Sequence, residues 1–139
     1  MRRARGFTVA ELLAVLAMAS LLIVLSTPRF LRTVAMNETA EAVNTLVGEV
    51  TRVRGLVKRQ GAPITLTVTN NGAAVISDQT RSLKLVKATG TLNLTFLPPY
   101  GTLAPGSALP QSVTLSSTRD AGVSRQVSVV STFGKVGVR

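Results

Sequence analysis

The residue types that most often perform chemistry are scarce in this chain. It has 139 residues without histidine, cysteine or tryptophan, and Tyr100 is its only tyrosine. Imidazole acid–base catalysis, thiol nucleophiles and thiolate metal sites are therefore excluded. None of the six acidic residues stands in a motif typical of a catalytic pair. We predict that the protein is not an enzyme and uses neither a metal nor a cofactor; a membrane-tethered enzyme is the remote alternative.

Glu11 is the acidic residue with the most unusual surroundings. It lies in a segment from Phe7 to Pro28 whose other polar residues are Thr8, Ser20, Ser26 and Thr27. As a helix, 22 residues would span about 33 Å, close to the roughly 30 Å hydrocarbon thickness of a bilayer. The basic leader MRRARG before it should stay in the cytoplasm. We predict a membrane-spanning helix over residues 7–29 with the bulk of the chain outside.

Two simpler interpretations of this segment are open. It could be an ordinary secretory signal peptide with Ala17-Met18-Ala19 as the cleavage site before Ser20, or a generic membrane anchor. Glu11 argues against both, because a carboxylate inside a transmembrane helix is costly and a purely apolar role would not retain it. The apolar run also continues to Leu25, beyond the end expected of a signal peptide.

The motif Gly-Phe-Thr-x-x-Glu-Leu-Leu, residues 6–13, resembles the class III signal of type IV pilins and type II secretion pseudopilins. The resemblance implies a prepilin peptidase that cuts after Gly6 and N-methylates Phe7, leaving residues 1–6 as a leader peptide. It also implies that Glu11, the fifth residue after the cut, pairs with the N-terminal amine of a neighbouring subunit during filament assembly. Pro28 would then be the helix kink that filament packing needs.

An amphipathic pattern follows the apolar segment. Leu31, Ala35, Ala42, Leu46, Val50, Val53 and Val57 recur at spacings of three, four or seven residues. This spacing predicts that one helix continues to residue 59 and ends at Gly61 and Pro63. Its second half, from residue 30 to about 60, should pack on a domain outside the membrane.

Strand signals fill the rest of the chain, residues 63–139. Alternation and turn residues predict strands at 64–69, 73–76, 83–87, 91–96, 112–117, 124–132 and 135–138. Turns are expected at Asn70-Asn71-Gly72, at Thr89-Gly90, over 119–122 and at Gly134, with a loop over 97–106. We therefore predict an α+β fold, with the long helix packed on an antiparallel sheet of six or seven strands, either single or split in two, as in pilins.

The second half of the chain resembles the GspH/FimT-like branch of minor pilins and pseudopilins. Three segments carry the resemblance: the helix end and first strand (53–66), an aromatic–Pro–Gly segment (96–102) and a terminal Gly-basic-aliphatic strand (127–136). Gly55 departs from that pattern and costs about 1 kcal/mol in a helix relative to alanine. Lys135 is a second departure, because DNA-binding members carry Gly-Arg-x-Arg near their end and lysine lacks the bidentate fork of arginine.

Two functions fit these observations. The first is a minor pilin or pseudopilin that primes or tips a type IV pilus or a type II secretion pseudopilus. Its partners would be the prepilin peptidase, other pilin subunits and the bacterial inner membrane, with the domain in the periplasm or outside.

The alternative is a DNA-binding minor pilin for natural transformation. The net charge of +10, or 10 − 3 = +7 without the leader arginines, is compatible with DNA contact. The candidate cations are Arg119, Arg125, Lys135 and Arg139.

Overall fold

A single long helix dominates the computed structural model, which describes residues 8–70, 73–76, 79–83 and 85–139. Helix α1 runs Val9–Gln60, with Thr8 as its N-cap and Gly61 as its C-cap in the left-handed conformation. Glycine suits this cap because it has no Cβ to clash there. The prediction of one helix over residues 7–59 is confirmed to within two residues where the chain is described. The leader, Gly6 and Phe7 lie outside the described residues.

The two halves of α1 differ in burial. From Thr8 to Thr33 every residue is exposed, and burial starts at Ala35. The helix continues through Pro28 without a break, so local melting there does not occur; the kink at Pro28 stays a prediction. Leu31 was expected on the packed face but is 47% exposed, because the domain first covers the helix one turn later.

Nine strands lie in the described part of the chain and form two antiparallel sheets. They are β1 (Ile64–Val68), β2 (Ala73–Ile76), β3 (Gln79–Ser82), β4 (Val86–Thr89), β5 (Leu92–Leu97), β6 (Thr102–Leu103), β7 (Gln111–Ser117), β8 (Ser124–Val129) and β9 (Val136–Val138). The first sheet has the order β3-β2-β1-β5-β6 and the second β4-β7-β8-β9. The predicted α+β class with a helix on an antiparallel sheet domain is confirmed.

The predicted count of six or seven strands is wrong. The short strands β3 and β6 were missed, and β6 falls inside the segment predicted as a loop. The predicted hairpin around Thr89-Gly90 does not form: β4 pairs with β7, whereas β5 pairs with β1. The chain changes sheets at Gly90, which has a φ of +98° and whose Cβ position is 3.3 Å from the Ser112 carbonyl oxygen.

The core lies between the second half of α1 and both sheets. Leu46 and Val53 of the helix are fully buried, as are Phe96 of the first sheet and Leu115 of the second. All four belong to one hydrophobic cluster. The domain therefore packs against the second half of α1 and leaves the first half exposed.

Candidate functional site: the exposed helix and the basic surfaces

The exposed half of α1 presents a continuous apolar surface. Leu16, Ile23 and Leu25 are 57%, 67% and 63% exposed. An 18-residue window of α1 has a mean hydropathy of 2.4 and is 0% buried by the domain. The exposed part, Val9 to Thr33, is about 38 Å long at ~1.5 Å per residue. This helix is thus long and apolar enough to cross a membrane.

The polar side chains within this apolar half are satisfied by the helix itself. The hydroxyls of Ser20, Ser26 and Thr27 donate to the carbonyl oxygens of residues 17, 22 and 23 at 2.9, 2.7 and 2.7 Å. Thr8 and Glu11 bond to each other. Since an unpaired polar group is expensive in hydrocarbon, this pattern suits an apolar environment around the helix as far as Thr27, before the exposed Arg29 and Arg32.

Thr8 and Glu11 form a capping box at the start of α1. The Glu11 backbone N–H donates to the Thr8 hydroxyl oxygen at 3.2 Å. The Glu11 carboxylate oxygen Oε2 accepts from the Thr8 backbone N–H at 2.9 Å and from its hydroxyl at 3.0 Å. A carboxylate offers about four lone-pair sites, so it retains capacity for a further donor. From the sequence, Glu11 was expected only to pair with the charge of a neighbouring subunit. The N-cap role of Thr8 was not predicted, although Thr-x-x-Glu is the capping-box pattern.

Arg119 is held by an ion pair within the domain. Its Nε donates to Oε1 of Glu38 on α1 at 2.8 Å. Glu38 is only 13% exposed, while Arg119 is 48% exposed. Of the four cations predicted for DNA contact, Arg119 is therefore already engaged by a carboxylate.

The other three predicted cations are exposed but do not share one face. Gly137 lies opposite Ser128 on the outer face of the second sheet, and alternation puts Lys135 and Arg139 on that same face. Arg125 has the parity of the buried Val127 and Val129 and so lies on the helix side of the sheet. There it borders a cleft that Arg139 also reaches. The structure thus brings Arg125 and Arg139 to one cleft but does not assemble all four predicted cations at one site.

Arg54 joins the three segments that resemble the GspH/FimT-like branch. Its Nε donates to the Gly101 carbonyl oxygen at 3.3 Å. A Cβ on Gly101 would be 3.1 Å from the Arg54 carbonyl oxygen, and a Cβ on Gly134 would be 3.2 Å from Arg54 Cδ and 3.0 Å from Phe96. The helix end, the 96–102 segment and the last turn therefore meet at one point. Sequence reasoning did not single out Arg54, and no local pattern identifies it.

Comparisons of the chain with family models, with curated proteins and with solved structures find no match. Within the described residues, no group of three or more acidic side chains is placed to hold a metal ion. The interpretation of function therefore depends on the residues and geometry above.

Proposed function

We propose that this protein is a minor pilin or pseudopilin subunit, inserted in the bacterial inner membrane through α1 and incorporated into a type IV pilus or a type II secretion pseudopilus. The observation that carries the proposal is the first half of α1, which is apolar, uncovered by its own domain and internally satisfied in its polar side chains. Such a helix needs an apolar environment, which a bilayer provides before assembly and neighbouring helices provide afterwards.

The class III signal motif of residues 6–13 supports an order of events in which processing precedes assembly. In the proposed sequence of events, prepilin peptidase cuts after Gly6 and methylates Phe7, which creates a new amine close to Thr8. Glu11 caps the start of its own helix. The remaining lone pairs of its carboxylate accept hydrogen bonds from the N-terminal amine of an incoming or preceding subunit. Because an ammonium excluded from water needs a counter-charge, a subunit inserted out of register would leave both groups unpaired.

Two substitutions separate the cap from the charge. Glu11→Gln retains an oxygen that accepts from the Thr8 backbone N–H but removes the negative charge. We expect normal membrane insertion and processing, with incorporation into sheared filaments reduced about tenfold or more, as the loss of a charge-assisted contact implies. Thr8→Ala removes the cap hydroxyl and keeps the charge, so its incorporation should stay within about threefold of the unmodified chain.

Quantitative immunoblotting of the filament fraction against the membrane fraction gives the ratio. Equal incorporation of the Glu11→Gln variant and of the protein with Glu11 would contradict the role of the Glu11 charge in assembly. An equally large defect in both variants would show that capping, rather than charge, controls assembly.

DNA binding is the second candidate function. The observation that favours it is the exposed pair Lys135 and Arg139 on either side of Gly137; Gly137 and Arg139 also border a cleft of about 420 Å³. Each phosphate contact contributes about −0.9 to the slope of log K against log salt for duplex DNA. We expect the double variant Lys135→Ala, Arg139→Ala of the full chain in neutral detergent to reduce that slope by about 2. Arg119→Ala is the matched control, because Glu38 already engages its guanidinium; equal effects of both variants would exclude this site.

A further inference from the structure

Three arginines from different parts of the chain border one cleft at the end of the domain nearest the apolar half of α1. Arg32 comes from the helix, Arg125 from the start of β8, and Arg139 follows β9. The cleft has a volume of about 260 Å³, and Gly122 and Ser124 of the β7–β8 turn contribute to its wall. All three arginines are exposed, so their guanidinium groups are accessible from solvent.

The position of Arg32 along α1 sets the height of this cleft above a bilayer. Arg32 lies four residues after Pro28, which is about 6 Å along the helix axis. The headgroup region on each side of the hydrocarbon core is roughly 5–7 Å thick. In a helix the side chains lean toward the N-terminus, so Arg32 extends back toward the membrane. A helix that spans the bilayer over residues 9–28 therefore brings the cleft to the level of the lipid phosphates.

The charges around the cleft favour an anion. No acidic residue is among those that line it. Of the acids close to it along the chain, Glu38 is paired with Arg119, and Asp120, next to the cleft wall, accepts from the Gly122 backbone N–H at 2.9 Å. Arg29 lies three residues before Arg32, about 4.5 Å nearer the membrane along the helix axis, and adds a further positive charge below the cleft. Guanidinium groups match phosphate geometry with bidentate hydrogen bonds.

We infer that this arginine cleft, defined by Arg32, Arg125 and Arg139, binds the phosphate headgroup of an anionic phospholipid. The site would hold the domain against the outer surface of the inner membrane before the subunit enters a filament. The inference rests on the membrane insertion of α1 in the proposed function, but not on filament assembly. A subunit that leaves the bilayer for a filament must then release the lipid. Lipid binding at the cleft would therefore favour subunits that are still in the membrane over subunits in the filament.

The test uses the full chain in neutral detergent, titrated with short-chain phosphatidylglycerol and, separately, with short-chain phosphatidylcholine. Each basic residue near an anionic membrane contributes about 1 kcal/mol, or roughly fivefold in affinity. We therefore expect Arg32→Gln with Arg125→Gln to weaken phosphatidylglycerol binding about 25-fold. The matched control is Lys58→Gln with Arg59→Gln, which removes the same charge at the far end of α1, where both side chains are exposed.

The control should change the affinity by less than about threefold, because Lys58 and Arg59 lie roughly 40 Å from Arg32 along the helix. Arg32→Lys with Arg125→Lys should bind with intermediate affinity, since charge is kept and the bidentate fork is lost. Far-UV circular dichroism checks that each variant is folded.

Four results would overturn the inference: equal weakening by the control, equal binding of phosphatidylcholine, displacement of the lipid by an equal concentration of inorganic phosphate, or tighter binding of duplex DNA at the same arginines. The second and third would show that the anionic lipid is not the specific ligand, and the last would assign the cleft to nucleic acid. Because binding is measured in micelles, it is independent of whether Glu11→Gln affects filament incorporation.

Discussion

Gly101 is the position at which the β5–β6 hairpin touches the helix most closely, and its substitution by alanine tests the packing of the domain. Its φ is +66°, and an added Cβ would lie 3.1 Å from the backbone oxygen of Arg54 and 3.5 Å from its Cα and Cβ. Those atoms belong to the interior of α1 and are held by helix hydrogen bonds, so they cannot easily retreat. The hairpin would have to move away from the helix instead.

The energetic cost has two parts that a matched variant separates. The left-handed conformation costs a non-glycine residue about 1–2 kcal/mol. Overpacking against a rigid neighbour adds about 1–3 kcal/mol. Gly61 has nearly the same φ, +65°, with nothing within 4 Å of its Cβ position. Gly61→Ala should therefore lose only the conformational part, while Gly101→Ala loses about 2–5 kcal/mol in total.

Urea unfolding of the full chain in neutral detergent, followed by the β-sheet signal in circular dichroism, measures the difference. With a denaturant slope of about 1–3 kcal/mol/M, an extra 2 kcal/mol lowers the midpoint by roughly 0.7–2 M. Equal midpoints for Gly101→Ala and Gly61→Ala would refute the close approach of the hairpin to the helix.

Four further substitutions have clear expected effects on the free energy of unfolding, measured in the same way. Phe96→Ala should cost about 3–5 kcal/mol because the ring is fully buried, whereas Phe133→Ala, 61% exposed, should cost less than about 0.5 kcal/mol. Gly55→Ala should stabilise the chain by up to about 1 kcal/mol, since it is helical and its Cβ position is open; a loss would indicate an unseen close contact. Arg119→Gln should cost about 1 kcal/mol because it leaves the mostly buried Glu38 unpaired; no loss would mean that the pair is not formed in solution.

The helix and its ends could be predicted from sequence because their signals are local. Apolar residues at helical spacing, followed by Gly61 and Pro63, predicted the end at Gln60 within one residue. Strict alternation predicted β1, and its antiparallel pairing with β2 is confirmed. The turns at 119–122 and at Gly134 are also confirmed, since β7 pairs with β8 and β8 with β9.

The sequence left open whether the sheet is single or split in two, because the division depends on which distant strand offers the better partner. The segment around Thr89-Gly90 has the composition of a hairpin turn, yet β4 and β5 each pair with a strand from elsewhere in the chain. β3 was missed because its sequence, QTRS, has no apolar residue to alternate, and two-residue β6 is too short for alternation to be recognised. A local pattern cannot report such long-range choices.

The spatial grouping of the basic residues likewise could not be predicted from local sequence patterns. Charge and alternation predicted that Lys135 and Arg139 share a face. The pairing of Arg119 with Glu38 joins residues 81 positions apart, and the cleft that Arg32 and Arg125 both line joins a helix to a distant strand. Both arrangements appear only once the helix is docked on the second sheet. They engage one of the four DNA candidates, Arg119, with a carboxylate and bring Arg125 and Arg139 to a cleft shared with Arg32.

The exposed, internally satisfied half of α1 is central to this account, and the N-terminus of the mature protein tests its meaning most directly. Intact mass and N-terminal fragmentation of the protein purified from membranes should show a chain that starts at N-methylated Phe7, with Glu11 still in the helix that follows. A chain that starts at Ser20, or one that retains residues 1–6, would contradict the pilin-like function.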